Sequence, residues 1–123
     1  LFQSLSKPQV YLVTLKNKVV VVTGGAHGIG QAIVEDFRKE GAVVEVIDKT
    51  PGTYFVGDIG NKETLEAFSS YVLEKHSHID YLINNALPIM KGIDECSYEE
   101  FQYALSVGVT APFYLTKLFK DSF

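Results

Sequence analysis

The sequence has a single cysteine, Cys96, no tryptophan, and no strictly hydrophobic run longer than four residues. One cysteine cannot form an internal disulfide, which fits a reducing environment and leads us to expect a cytoplasmic protein. A transmembrane helix needs about 20 apolar residues, and no basic-then-apolar signal peptide opens the chain. We therefore expect no association with a membrane.

Positive charge is also scarce, because 15 acidic residues outnumber 11 basic ones and the net charge is −4. A protein that binds the phosphates of nucleic acid needs a concentrated basic field, so we expect no nucleic-acid partner. The rest of the composition, 46% hydrophobic and 21% charged, is typical of a globular chain. Disorder and coiled coil are therefore poor interpretations.

The chain begins with Leu1 and its only methionine is Met90, so we expect a processed chain, a recombinant piece or a fragment. Residues 1–9 are set aside as a tail, which is either native sequence or the remnant of a cleavable tag. Domains average about 150 residues, so one domain or part of one is expected. We predict a single domain over residues 10–123, truncated at its C-terminus.

Apolar runs rich in β-branched residues alternate along the chain with stretches in which apolar residues recur every three or four positions. The runs predict buried strands and the stretches predict helices. Asn61 is a suitable N-cap for the second helix, and Ser97 forms a capping box with Glu100 that starts the last one. The expected order is strand 18–23, helix 28–40, strand 42–47, short strand 54–56, helix 61–76, strand 79–83 and a helix from 97. This order predicts an α/β fold with a doubly wound parallel sheet, incomplete at about four strands and three helices.

Two of these helices have apolar faces that we expect to pack against other elements. The first helix aligns Ile29, Ile33 and Phe37 at a spacing of four. Gly108 and Pro112 should kink or weaken the last helix. Its apolar row is expected to form core or a subunit interface, and consists of Tyr98, Phe101, Leu105, Val109, Pro112, Leu115 and Phe119.

A glycine-rich segment, Thr23–Gly30, joins the first strand to the first helix. Gly24 allows a tight turn with positive φ, Gly28 lets the backbone approach a pyrophosphate, and Gly30 lets the helix pack against the strand. The helix N-terminus adds free N–H groups and a partial positive charge. In this strand–loop–helix context we interpret the segment as a dinucleotide-binding loop, with a purely structural turn as the alternative.

Asp48 follows Gly30 by 18 residues and ends the second strand. A carboxylate at this position can accept both ribose hydroxyls of an adenosine and would repel a 2′-phosphate, which favours NAD over NADP. A solvated aspartate at a strand end is the alternative. His27 could add positive charge beside the cofactor, but it is mostly neutral at pH 7 and does not reverse the preference.

Three motifs in register resemble those of the short-chain dehydrogenase/reductase family, and the resemblance covers about residues 15–119. The motifs are the glycine fingerprint Thr23-Gly-x-x-x-Gly28-Ile29-Gly30, the pair Asp58-Ile59 after the third strand, and Asn84-Asn85-Ala86 after the fourth.

The resemblance implies a Rossmann-type fold and hydride transfer between NAD(P) and an alcohol or ketone. It implies that Asp58 and Ile59 flank the adenine, and that Asn85 and Ala86 line the ribose next to nicotinamide. Ile29, as part of the fingerprint, is counted with the cofactor-binding residues. Strand termination is the alternative interpretation of the asparagines, since asparagine favours turns.

The family's catalytic serine and Tyr-x-x-x-Lys motif would lie on a fifth strand and the helix after it, and we expect both to fall outside this chain. Tyr71 and Lys75 have the right spacing, but they precede the fourth strand, so we interpret them as an ordinary helical pair. We assign no catalytic residue and expect this chain alone to bind cofactor without turnover. A non-catalytic NAD-binding module or an interaction fragment is the alternative.

Two positions depart from the family pattern. Leu87 stands where the family usually has a glycine and would narrow the floor of the cofactor cleft. Gly108 stands where the family usually has an asparagine that binds a relay water, which puts that relay in doubt.

Metal binding is not expected. His76 and His78 flank one serine and are interpreted as surface residues, because two histidines do not make a zinc site. Cys96 is interpreted as a plain thiol. The expected partners are an alcohol or ketone substrate in the complete protein and further copies of the chain, because the fourth strand should lie at an open sheet edge.

Overall fold

The computed structural model describes residues 15–123. The tail predicted at residues 1–9, and the first residues of the domain predicted from residue 10, lie outside the described residues. Within them no helix is long and apolar enough to cross a membrane.

The strands and helices follow the predicted alternation. The strands are β1 (Val19–Thr23), β2 (Val43–Asp48), β3 (Phe55–Val56) and β4 (Tyr81–Asn84). The α-helices are α1 (Gly28–Lys39), α2 (Lys62–His76), α3 (Tyr98–Leu105) and α4 (Ala111–Phe119). A π-helical segment, Ser106–Thr110, joins α3 to α4, and a 3-10 turn, Lys120–Ser122, follows α4.

All four strands are parallel and lie in the order β3-β2-β1-β4. Every residue of β1 is buried, because β1 has a neighbour on each side and helices on both faces. The fold is therefore the doubly wound parallel sheet that the sequence predicted. Among the strands of residues 15–123, β4 lies at an edge of the sheet, as expected.

Alternate side chains of β1 pack into two separate cores. Val20 and Val22 face α1, where they meet Val34. Val19 and Val21 face α2 and α4, whose main buried side chains are Leu65, Phe68, Val72, Leu115 and Phe119. Such near-continuous apolar strands are typical of a sheet covered on both faces.

The helix starts that the sequence predicted are confirmed. The Asn61 side chain accepts a hydrogen bond from the Thr64 amide at 3.1 Å. Ser97 and Glu100 form the complete capping box, with each side chain bound to the other residue's backbone N–H at 3.0 Å. These bonds satisfy donors that the first turn of a helix leaves free.

The position of Ile29 differs from the prediction. It does not share the packed face of α1 with Ile33 and Phe37, and it is 75% exposed. Ile29 lies in the first turn of α1, where the helix leaves the sheet edge, so its side chain reaches the cleft described below. Gly30 occupies the buried position in that turn.

The apolar row predicted for the last helix as core or subunit interface divides into two parts. Leu115 and Phe119 are core, whereas the first half of the row is not. Tyr98, Phe101, Leu105 and Val109 are exposed. The residues that pack against the sheet are Ala104, Val107, Ala111, Leu115 and Phe119. The sequence allows two overlapping rows at helical spacing, and the row that contains Ala104 and Ala111 is the buried one.

The predicted kink takes the form of the π-helical segment, which contains Gly108 and ends at Thr110, two residues before Pro112. Proline has no N–H to donate to the preceding turn, so a regular helical hydrogen bond is lost there. The wider π turn lets the helix continue past this point.

His76 is not the surface residue that the sequence suggested. Its Nε2 lies 2.6 Å from Oε2 of Glu45, which also lies 3.1 Å from Lys75 Nζ. Glu45 is buried in β2 on the face that α2 covers, so the last turn of α2 supplies partners for a charge that would otherwise be costly to bury. His78 is exposed and lies 3.3 Å from Asp80. Residues 15–123 contain no cluster of three metal-ligating side chains.

Candidate functional site

A cleft of about 670 Å³ lies at the carboxyl ends of the strands. It lies between the loops that follow β1 and β4, whose helices cover opposite faces of the sheet. Open α/β sheets bind ligands at this kind of position, where the chain departs to both sides.

Two glycines of the segment Thr23–Gly30, one in the loop after β1 and one in the first turn of α1, are required by close packing. Gly24 has φ +68°, and a Cβ there would lie 2.9 Å from the Ala86 Cα. A Cβ on Gly30 would lie 2.1 Å from the Gly24 carbonyl oxygen and 2.4 Å from the Asn85 Nδ2. The loop therefore packs directly on the first turn of α1 and on the segment after β4.

Gly28 is different, because the space beside it is open. A Cβ at this position would meet nothing within 4 Å, while the φ of +54° still favours glycine. Gly28 begins α1, whose first N–H groups have no partner within the helix. The exposed backbone here suits close approach by an anion.

Thr23 and Asn85 join the ends of β1 and β4. The Thr23 Oγ1 accepts hydrogen bonds from the backbone N–H groups of Asn85 and Ala86, each at 3.1 Å. The Asn85 Nδ2 donates to the Gly24 carbonyl at 3.0 Å. Asn85 thus supports the glycine loop in addition to lining the cleft.

Asp48 is not a freely solvated aspartate at a strand end. Its Oδ2 accepts a hydrogen bond from the Ala26 N–H, and its Oδ1 accepts one from the Thr50 N–H, both at 3.0 Å. The carboxylate is half-buried and lines the cleft. A carboxylate has about four lone-pair positions, so both oxygens can still accept from a ligand.

Asp58 follows β3, the strand that pairs with β2 at Asp48, and is held by two donors. The Gly60 N–H donates to its Oδ1 at 2.9 Å. The Tyr103 hydroxyl, from α3, lies 2.6 Å from Oδ1 and 2.7 Å from Oδ2. Burial, followed by this bond to Asp58, raises the pKa of Tyr103 to about 12. The phenol is therefore a permanent donor to the carboxylate near neutral pH.

The structure brings nearly all the residues predicted from sequence to this cleft. Nine of the ten line it: Gly24, His27, Ile29, Gly30, Asp48, Asp58, Ile59, Asn85 and Ala86. The tenth, Gly28, lies in the same loop. Their roles toward a cofactor remain predictions.

Sequence reasoning missed several lining residues, among them Lys49, Pro88, Lys91, Tyr103 and Val107. Lys49 had a local signal, because it directly follows Asp48. Tyr103 had none, because it is 45 residues from Asp58 and only the packing of α3 brings the two together.

The family model described as short chain dehydrogenase matches residues 18–123. The chain belongs to the short-chain dehydrogenase family.

Relatives of the chain include proteins named L-fucose dehydrogenase and sorbitol-6-phosphate 2-dehydrogenase. L-fucose dehydrogenase of Mus musculus is 36% identical in an alignment 115 positions long, which covers 82% of this chain and 42% of the relative. The chain therefore spans less than half the length of this curated relative.

Solved structures of short-chain oxidoreductases show the same fold. An apo SCOR enzyme from Clostridium thermocellum is 41% identical, with a TM-score of 0.79 over 86% of this chain and 49% of that one. A metagenomic short-chain oxidoreductase in complex with NADP is 25% identical, with a TM-score of 0.79 over 88% of this chain and 56% of that one.

The Tyr71–Lys75 pair has the spacing of the family's catalytic motif but not its location. Lys75 Nζ lies 3.5 Å from the Tyr71 hydroxyl, as expected for residues four apart on a helix. Neither residue lines the cleft. Their interpretation as an ordinary helical pair is therefore supported by their position.

The two departures from the family pattern lie near the same wall of the cleft. Leu87 lines the cleft with 85% of its surface exposed. Gly108 faces Pro88, and a Cβ there would make an ordinary contact at 3.5 Å.

Proposed function

We propose that this chain is the cofactor-binding half of an NAD-preferring oxidoreductase that transfers hydride between nicotinamide and an alcohol or ketone. The observation that carries the proposal is the position of Asp48. Its carboxylate lines the cleft next to the glycine loop and is oriented by the Ala26 and Thr50 amides. A carboxylate so placed suits a ribose diol and disfavours a 2′-phosphate.

In this proposal each of the other site residues binds a different part of the cofactor. The glycine loop and the N-terminus of α1 bind the pyrophosphate, and His27 lies at that N-terminus as its N-cap. Asp58 and Ile59 flank the adenine, and Asn85 and Ala86 line the ribose beside nicotinamide. The bound nicotinamide supplies the hydride chemistry, while these residues bind and orient it.

The preference for NAD over NADP depends on the charged residues at the cleft. The family contains NADP-binding members, such as the metagenomic oxidoreductase. Lys49 also lines the cleft and could attract a phosphate. We infer that Asp48 outweighs Lys49, because Asp48 is held at the cleft by two hydrogen bonds whereas Lys49 is exposed and lies over the Tyr103 ring.

A mass-verified sample of the 123-residue chain is expected to bind NAD without catalysing steady turnover. The Tyr71–Lys75 pair with catalytic spacing lies away from the cleft. Tyr103 does line the cleft, but its hydroxyl is bonded to Asp58 and its pKa is raised to about 12, which makes it unsuited to general acid/base catalysis near neutral pH. Calorimetry with NAD measures binding, and NADH absorbance with a panel of alcohols measures turnover. Steady turnover that Tyr71→Phe abolishes would contradict this prediction, whereas absence of NAD binding would contradict the proposed function.

Self-association is a further part of the proposal. The outer side of α3 and α4 has five exposed apolar residues at spacings of three and four: Tyr98, Phe101, Leu105, Val109 and Phe113. This apolar row and the open edge of β4 both leave surface that favours a partner. We propose that a second copy of the chain covers the row, with exchange of elements or attachment to a C-terminal half as alternatives.

Replacing Leu105 with glutamate is expected to shift the chain toward monomer. The change places a charge in the middle of the apolar row, where association would desolvate it. Light scattering after size-exclusion chromatography measures the mass. Gln31→Glu, which adds the same charge to exposed α1, serves as the control and should leave the mass unchanged. A wild-type monomer of 13.6 kDa would contradict the proposal.

A further inference from the structure

A hydrogen bond joins Tyr103 to Asp58, the residue proposed to flank the adenine. The tyrosine hydroxyl lies within 2.7 Å of both carboxylate oxygens. It carries one proton, so it donates to one oxygen at a time or is shared between them. Together with the Gly60 N–H it uses about two of the four lone-pair positions of Asp58. At least one acceptor position therefore remains free on a carboxylate that lines the cleft.

The backbone is adapted to the presence of the tyrosine ring. A Cβ on Gly60 would lie 2.7 Å from the Tyr103 Cε1 and 3.2 Å from the Asp58 Oδ1. The absence of a side chain at residue 60 thus lets the ring and the carboxylate meet. On its other side the ring has Lys49 Nζ at 5.7 Å from its centroid, a distance at which a cation attracts an aromatic face.

We propose that Tyr103 is a positioning residue that orients the Asp58 carboxylate so that the site selects a purine with an amino group at its six position. The inference rests on the proposed function, since it assumes that the adenine of the cofactor lies beside Asp58. A six-amino group donates to the free acceptor position, whereas a six-carbonyl oxygen would face the carboxylate and be repelled. Tyr103 touches Asp58 rather than the reacting atoms, so it acts through Asp58.

The chemistry of the phenol makes it suited to this role. Its raised pKa keeps the proton in place over the pH range in which the cofactor is stable, so the tyrosine does not become a competing anion. Because its one proton points to Asp58, the hydroxyl has no second proton to donate to a six-carbonyl group. Phenylalanine would keep the ring on Gly60 and remove only the orienting bond.

The test compares binding of NAD and nicotinamide hypoxanthine dinucleotide to the full chain by calorimetry. The second probe differs by a six-carbonyl group in place of the six-amino group. The wild type is expected to bind NAD about tenfold more tightly, the effect of one charge-assisted hydrogen bond. In Tyr103→Phe this ratio should shrink at least about threefold, because the carboxylate is free to rotate. Gly60→Ala, which displaces the ring, should shrink it in the same direction.

Tyr98→Phe is the matched control. It removes a hydroxyl from the same helix, where it accepts a hydrogen bond from Gln102 rather than contacting Asp58, and should leave the ratio unchanged. If Tyr103→Phe weakens the binding of both dinucleotides equally, Tyr103 is merely structural. The inference is then overturned, while the proposed function stands. If the wild type binds neither probe, both are overturned.

Discussion

Gly30→Ala is expected to destabilise the chain by about 3 kcal/mol or more and to abolish binding of NAD. The new Cβ would lie 2.1 Å from the Gly24 carbonyl oxygen and 2.4 Å from the Asn85 Nδ2. Neither atom can retreat easily, because Gly24 is itself packed on Ala86 and the amide of Asn85 is bonded to the Gly24 carbonyl. Overpacking of this kind costs about 1–3 kcal/mol when neighbours can adjust and more when they are backbone atoms.

The expected drop in melting temperature is about 10–20 °C, since each kcal/mol corresponds to a few degrees in a domain of this size. Binding of NAD should be lost because relief of the clash separates α1 from the loop, which removes the arrangement proposed to hold the pyrophosphate. Thermal unfolding and calorimetry measure the two effects.

Gly108→Ala is the matched control for this experiment. It makes the same substitution in the π-helical segment, where the Cβ would meet only Pro88 at 3.5 Å. The effect there should stay within about 1 kcal/mol, and the higher helix propensity of alanine should favour a small gain. A Gly30→Ala chain that melts and binds NAD like the wild type would show that the packing described for the loop is wrong.

Asp48→Ala is expected to narrow or invert the preference for NAD over NADP. Loss of a charge-assisted hydrogen bond to the ribose costs about 1.5–3 kcal/mol, or roughly tenfold to 150-fold in NAD affinity. The change also removes the negative charge that repels a 2′-phosphate. The positively charged Lys49, the next residue in the chain, still lines the cleft. NADP affinity should therefore fall less than NAD affinity, or rise.

The structure shows why the ratio of the two affinities has to be measured. Asp48 also accepts a hydrogen bond from Ala26, so its removal loosens the glycine loop. A looser glycine loop should weaken the binding of NAD and NADP equally, so this effect cancels in the ratio of the two affinities. The effect of the Asp48 charge does not cancel, because only NADP carries a 2′-phosphate. Asp48→Asn keeps an acceptor oxygen and removes only the charge, and Asp36→Ala removes a charge from the exposed side of α1.

The Asn substitution should shift the ratio toward NADP with a smaller loss of NAD affinity, and Asp36→Ala should leave the ratio unchanged. Equal or tighter binding of NADP by the unmutated chain would contradict the NAD preference itself.

The order of strands and helices was predictable from the sequence because it depends on neighbouring residues. Buried strands show as valine runs, and the starts of α2 and α3 show as capping residues that bond within three positions. The glycine motif was predictable for the same reason, because Gly24, Gly28 and Gly30 lie within seven consecutive residues. Because parallel strands end at the same edge, residues that follow different strands could also be assigned to one cleft.

Only the tertiary structure decided how side chains on separate elements meet. Asp58 and Tyr103 are 45 residues apart, and Glu45 and His76 are 31 apart, so no local pattern pairs them. The buried row of the last helix also depended on its approach to the sheet, because both rows satisfy helical periodicity. Periodicity determines which residues share a face, whereas the rotation and distance of the packed helix determine which face is buried.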